Sequence, residues 1–311
     1  MKVFYQFKQN ESEQIIKHFG NVFYEKVLRD ISLYVDKWAL SFFKFIPSYS
    51  ANIVFTCFSE IYGSTVLKIG KSPSREVLTE FNTLKEYEAS RFCKVFDADI
   101  ENGVILEEFI EPGIPLRNER SLDVRLSVFC SLYKDLHIMP VNAELYPTYT
   151  EWVSRITEYI SRREDCKELT LYMNKAEEIC LSLTSLYPEK VLLHGDFHHD
   201  NILLGKDGTY KIIDPKGVIG DPIFDIPRFI LNEFDDELTM ETYKKINDII
   251  GYLEKKLMIP NNIIRECLFV ETAMGICWCV EDGATPEEYP GLVKTVAFAE
   301  SILKNGPFNL V

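Results

Sequence analysis

No uninterrupted apolar run in this 311-residue chain reaches the length of a membrane span. The opening residues, Met-Lys-Val-Phe-Tyr-Gln-Phe-Lys, lack the apolar core of a secretion signal. A soluble, cytoplasmic protein is the expectation. Positive charge is scarce, with 34 Lys and Arg against 48 Asp and Glu and a net charge of −14. That balance argues against nucleic acid, whose phosphates need a basic surface. It suits a cationic ligand drawn to an acidic cleft, and equally a surface whose acidity only keeps the chain in solution. The eight cysteines include no Cys-x-x-Cys pair, and Cys277 and Cys279 would diverge on a helix. Buried, reduced thiols follow, not a disulfide framework. Gly-x-Gly-x-x-Gly and Walker sequences are absent, as are internal repeats and low-complexity stretches.

The remainder has ordinary globular composition, 46% hydrophobic and 26% charged, long enough for one large domain or two lobes. Residues 8–47 read as two helices, the second with Val27, Ile31, Tyr34, Val35 and Trp38 at helical spacing. Strands follow at 51–58 and 65–69 as a hairpin, then a helix from Glu76 to about Ser90, then strands at 92–97 and 103–109. Glu111-Pro-Gly-Ile-Pro115 breaks the pattern, so the chain is cut there into residues 1–110 and 111–311. The second part reads as helices at 120–138, 149–162, 168–187, 240–257, 260–281 and 290–304 around a β-rich island at 190–214. The expected fold class is α+β, a small β-rich lobe joined to a larger helical one with ligand bound in a cleft.

The island carries His194-Gly-Asp-Phe-His-His-Asp-Asn201 and, after a hairpin, Ile213-Asp214-Pro-Lys216. Asp196 and Asn201 are five residues apart, and Asp214 comes eighteen after Asp196. Phosphoryl transfer needs a carboxylate to take the proton of an attacking hydroxyl and oxygen ligands for magnesium on the phosphates. Asp196 is the candidate base, with Asn201 and Asp214 as the Mg2+ ligands. His194, His198 and His199 match no zinc spacing, and His194 is assigned to holding the loop by hydrogen bonds. Lys68, in Val66-Leu-Lys-Ile69, is either a solvent-facing strand residue or an anchor for the α- and β-phosphates of ATP. Two glutamates on the next helix could orient it. Glu80, in mid-helix, is preferred to Glu76, which suits the helix dipole. The turn from Ser59 to Ser64 is taken as the phosphate-covering loop. Adenine is placed against the backbone near Glu108 and Ile110, where Val104-Ile-Leu-Glu-Glu-Phe-Ile110 runs into Pro112.

These stretches resemble the aminoglycoside phosphotransferase family, whose fold is similar to that of protein kinases. The double histidine and Asp214-Pro-Lys-Gly217 are most similar to its streptomycin 6-kinase and hydroxyurea phosphotransferase branch. The resemblance implies a bilobal protein-kinase-like fold, ATP and Mg2+ as cofactors, and a small polar, cationic hydroxyl substrate. It implies that Lys68 with Glu80 forms the phosphate-anchoring pair and that Asp225 braces the catalytic loop. It also places Trp278, Glu281 and Asp282 near the acceptor, with an acidic pair suited to guanidino or amino groups. The same acids could simply be a solvated helix end. Asp200 stands where relatives often have glycine. Lys216 is left between a substrate contact and a local salt bridge. A kinase of hydroxyurea, a sugar or an amino alcohol is the alternative, and a non-catalytic nucleotide-binding regulator the third reading. No Asp-Phe-Gly or Ala-Pro-Glu follows Asp214, against a protein kinase. The oligomeric state is not legible.

Overall fold

The computed structural model describes residues 5–47, 52–87 and 91–305. In chain order these form α1 (Gln9–Phe19), α2 (Asn21–Trp38), β1 (Leu40–Ile46), β2 (Ile53–Ser59), β3 (Gly63–Ile69), α3 (Arg75–Glu86), β4 (Val95–Asp99), β5 (Val104–Glu108) and β6 (Pro112–Pro115). There follow α4 (Leu122–Tyr133), α5 (Tyr149–Ser161), α6 (Lys167–Leu186), β7 (Val191–Leu193), β8 (Ile202–Gly205), β9 (Tyr210–Ile212) and β10 (Val218–Gly220). The chain closes with α7 (Pro227–Leu231), α8 (Met240–Leu257), α9 (Asn261–Glu281) and α10 (Tyr289–Leu303). Among the described residues no helix is long and apolar enough to cross a membrane.

The chain divides into two compact units. Unit 1 comprises residues 1–114 together with 203–214, and unit 2 comprises 115–202 and 215–311. Unit 1 is therefore discontinuous, whereas the sequence reading cut the chain once, after residue 110. Its main sheet is antiparallel in the order β1-β2-β3-β5-β4. Strand alternation sends Phe55, Leu67, Ile69, Val104 and Leu106 to one core, where α2 adds Val27, Ile31, Tyr34 and Trp38. Tyr34 and Trp38 donate to Asp99 (2.9 Å) and Asp97 (2.7 Å), tying α2 to β4.

β1 is a strand where the sequence reading continued a helix. Leu40-Ser-Phe-Phe-Lys-Phe-Ile46 is rich in aromatic residues that favour a half-buried pleat, and Ala39 ends α2 in the left-handed conformation. The helix end expected at Ser90 and the strand start expected at Ala51 lie outside the described residues. A second sheet, in the order β6-β8-β9, contributes the returning segment, and a bridge between Phe92 and Ile212 fastens it.

Unit 2 is built on α9, whose near-uniform apolar surface marks it as a central helix. It buries Leu268, Phe269, Val270, Ala273, Met274 and Cys277 against α5, α6 and α10. The short β7-β10 pair packs Val191, Leu193 and Val218 into this core, and the polar residues of the motif lie in the loop that follows β7.

Candidate active site

In unit 1 the site is built on β3. Lys68 pairs across the sheet with Val54 and Ile105, so its side chain leaves the face opposite to Leu67 and Ile69. It is 6% exposed. Its Nζ donates to Glu80 of α3 and to Asp214 Oδ1 at 3.0 Å, and lies 3.3 Å from Glu107 Oε2. Burial works to discharge the ammonium, but Asp214, Glu107 and Glu80 together outweigh it and raise its pKa well above the usual lysine value. Glu76 is exposed in the first turn of α3, whose N-cap Ser74 accepts from Val77 N. Asp214 has a φ of 57°, a left-handed conformation uncommon outside glycine. That bend turns the chain sharply after β9 and delivers the carboxylate to Lys68.

The segment Glu108–Ile110 borders a cavity of about 510 Å³, walled by the stacked Tyr62 and Phe96 rings. The Glu108 N–H donates to Lys94 O at 2.8 Å and Phe109 N to Ser64 O at 3.3 Å. The turn at Ser59–Ser64 joins β2 to β3 beside this segment. It lies five residues along β3 from Lys68, roughly 16 Å at the usual strand rise. It is therefore too distant to cover phosphates placed at Lys68, which corrects the sequence expectation of this turn as the covering loop. Lys68 pairs instead with Val54, near the start of β2. Residues 48–51, ahead of that strand, lie outside the described residues.

In unit 2 the loop between β7 and β8 carries Asp196 and Asn201. Its base is Asp225, 1% exposed, whose carboxylate accepts from His194 N (2.8 Å) and Gly195 N (2.8 Å) and bonds His137 Nε2 (3.0 Å). His194 Nδ1 accepts from Asp196 N at 3.1 Å. Gly195, at φ +79°, has no room for a Cβ, which would meet Trp152 at 2.9 Å and Val218 at 3.0 Å. Asn201 Nδ2 donates to Asp196 O at 2.9 Å, so the amide directs its nitrogen into the loop. His198 Nε2 lies 3.5 Å from Asp196 Oδ1. Burial alone would raise the Asp196 pKa. The hydrogen bond with His198 and the charges of Arg228, His198 and Lys216 reverse this and hold it well below the carboxylate range.

A second set of contacts locks the far side of the loop. Arg117 grips both oxygens of Asp200, at 2.7 and 2.8 Å, and donates to Asn232 Oδ1 at 2.7 Å. His199 stacks on Phe229 and bonds Glu233, which also takes a fork from Arg125 at 2.7 and 2.8 Å. Burial pushes the Glu233 pKa up, yet His199 and Arg125 bring it down to about 2.

On α9, Trp278 packs edge-on against Trp152 of α5. Glu281 forms a bidentate pair with Arg155, at 2.6 and 2.9 Å, and the N–H of Asp282 closes the helix on Trp278 O. Arg228 of α7 lies over the Trp278 ring and close to both Asp196 and Glu271.

A family model described as aminoglycoside/hydroxyurea antibiotic resistance kinase matches residues 63–283. The chain belongs to that family. It is 22% identical over 258 residues to the streptomycin 6-kinase of Streptomyces griseus, covering 81% of this chain and 82% of that one. It is 24% identical over 240 residues to the hydroxyurea phosphotransferase of Kitasatospora aureofaciens, covering 74% of this chain and 66% of the other. Among solved structures, the choline kinase LicA from Streptococcus pneumoniae aligns with a TM-score of 0.63 at 14% identity, over 90% of this chain and 99% of that chain. A thermostable mutant of aminoglycoside phosphotransferase APH(4)-Ia, crystallised with ADP and hygromycin B, aligns at 0.63 and 12%, over 89% and 99%. The fold is thus protein-kinase-like, with a β-rich and a mainly helical part. Like its family, this kinase is a phosphotransferase with an alcohol group as acceptor.

Several residues of this family member were missed in the sequence. Glu107 was passed over beside Glu108, although strand alternation puts it on the face of Ile105, the partner of Lys68. Arg228 and Glu271 each stand alone in an apolar run, Ile226-Pro-Arg-Phe-Ile-Leu231 and Leu268-Phe-Val-Glu-Thr-Ala-Met274. A lone charge in such a run signals a buried polar contact. Arg117 carries no comparable local signal.

Proposed function

We propose that this chain is an ATP- and Mg2+-dependent O-phosphotransferase whose acceptor is an aminoglycoside-type compound, with streptomycin as the first candidate. The observation that carries the reading is the Asp196 loop: a carboxylate kept ionised by its neighbours, with an amide oxygen presented five residues on. In this reading unit 1 holds the nucleotide and unit 2 supplies the catalytic loop and the acceptor contacts. Lys68, oriented by Glu80, binds the α- and β-phosphates, and the base lies against Glu108 and Ile110. Asn201 and Asp214 each bring an oxygen, the donor type that Mg2+ prefers. Bound to them, Mg2+ would neutralise charge on the phosphoryl group in flight. Asp196 accepts the proton of the acceptor hydroxyl as the new oxygen–phosphorus bond forms and the bond to ADP breaks. His194 and Asp225 keep the loop in register. Dependence on ATP puts the activity in the cytoplasm.

Trp278, Glu281 and Asp282 are the proposed acceptor contacts. Because Arg155 already neutralises Glu281, a guanidino-bearing acceptor has to compete with that arginine. This one feature favours the second reading, a kinase of an uncharged acceptor such as hydroxyurea or a sugar, over that of an amino alcohol. The test is ADP release from purified protein with ATP and Mg2+, in the presence of streptomycin, hydroxyurea, simple sugars and amino alcohols in turn. Streptomycin-dependent release, with streptomycin resistance conferred on a susceptible host, is expected. Release with hydroxyurea or a sugar alone selects the second reading. ATP binding without turnover on any acceptor overturns both and leaves a regulator.

A further inference from the structure

Asp196 is faced by a guanidinium that the mechanism above does not use. Arg228 Nε lies 3.4 Å from Asp196 Oδ1, and its Nη2 lies 2.6 Å from Glu271 Oε1. Glu271 is 2% exposed in the middle of α9, and its other oxygen accepts the Tyr149 hydroxyl at 2.6 Å. Tyr149 is itself 2% exposed and stacks on Phe224, next to the loop brace Asp225. The guanidinium carbon lies 5.7 Å from the Trp278 ring centre. Three elements, α5, α7 and α9, thus converge on one arginine whose free edge is turned toward Asp196.

We propose that Arg228 is the positioning residue of Asp196, held from behind by Glu271 and Tyr149. The inference rests on the reading of Asp196 as the proton acceptor. A planar guanidinium fixed along one edge can aim its remaining N–H with little freedom. Among the described residues Arg228 Nε has no hydrogen-bond partner in this state, so the Asp196 carboxylate is the acceptor within reach. On the other side Asn201 Nδ2 stands 3.5 Å from Asp196 Oδ2. Arg228 Nε and Asn201 Nδ2 thus flank the carboxylate on opposite oxygens, at 3.4 and 3.5 Å, and their placement limits its rotation and sets the edge it offers to a hydroxyl. Glu271 compensates the arginine's charge in a place where water does not. Losing Arg228 frees the carboxylate to turn without touching the nucleotide half of the site. The loss therefore falls on the chemical step.

Arg228→Met alone leaves Glu271 buried without a counter-charge and can fail by unfolding. The decisive protein is the double variant Arg228→Met/Glu271→Gln, in which a neutral amide keeps the Tyr149 hydrogen bond. Once an acceptor has been found, the double variant is expected to melt within a few degrees of wild type. Its KM for ATP should stay unchanged, and its kcat should fall about 100-fold. Arg228→Lys, which keeps charge but not the planar guanidinium, should recover only part of that loss. A folded double variant with kcat within a few-fold of wild type overturns the proposal and makes Arg228 only a counter-ion for Glu271. Asp196→Ala separates the two readings. If it retains activity, the base assignment itself falls. If it is inactive while the double variant is not, the positioning role alone falls.

Discussion

In unit 1 one buried ammonium, Lys68, faces three carboxylates, Glu80, Glu107 and Asp214. In unit 2 one carboxylate, Asp196, is faced by the guanidinium of Arg228, the ring of His198 and the amide of Asn201. The first centre carries two more negative charges than positive, a surplus that a buried site sustains at a cost unless a cation arrives. The second surrounds its single negative charge with donors. Each is assembled within its own unit by sheet and loop geometry, but the two suit opposite ligands. The surplus acid of unit 1 suits metal-bound phosphates, and the donors of unit 2 suit an oxygen that is gaining charge.

Three substitutions test this contrast. Asp196→Ala removes the proposed proton acceptor and is expected to lower kcat by about 10² to 10⁴. Single-turnover kinetics with saturating ATP check it, and a near-wild-type rate would remove Asp196 from the chemistry. Lys68→Ala leaves Glu80, Glu107 and Asp214 without their shared cation. Loss of a charge-assisted contact of about 1.5–3 kcal/mol corresponds to roughly a 10- to 100-fold rise in the dissociation constant for ATP, measurable by calorimetry. Unchanged affinity would mean that the anchor lies elsewhere. The third and smallest effect concerns Glu233, whose pKa falls from 4.5 when unfolded to about 2 when folded. A depressed acid stabilises the fold above its unfolded pKa, and that contribution is lost as pH falls from 4.5 toward about 2. Melting temperature should therefore drop across that window in the wild type and change less in Glu233→Gln. An equal slope in both proteins would show that the His199–Glu233–Arg125 cluster does not couple to folding.

Much of this was readable before any coordinates. The helices of unit 2 announce themselves by apolar spacing, and the β2–β3 hairpin by its alternation around Gly63. The Asp196 loop is legible as a polar cluster because Asp196, Asn201 and Asp225 lie within thirty residues of one another. What escaped depends on distance along the chain. β1 was read as helix because Phe42-Phe-Lys-Phe45 has no turn signal before it, only Ala39 in a left-handed conformation. Arg117 reaches Asp200 across 83 positions and Tyr149 reaches Glu271 across 122, and no spacing rule links such pairs. The turn at Ser59–Ser64 was misassigned because its glycine was weighed above its spacing, five residues of extended strand away from Lys68.

The return of residues 203–214 to unit 1 has a consequence for how the molecule is made. The strands β1 to β5 all lie between Leu40 and Glu108, ahead of the returning segment in the chain. Yet Cys93 N–H donates to Ile212 O, Ile212 N–H donates to Arg91 O, and Lys68 meets Asp214, all partners synthesised a hundred residues later. A nascent chain released at residue 114 would carry the sheet without these bonds. Domains of most proteins mature in order of synthesis. Here the first unit closes only after α4, α5 and α6 of unit 2 have been made, so a fragment ending at residue 114 should not be expected to stand in for the unit.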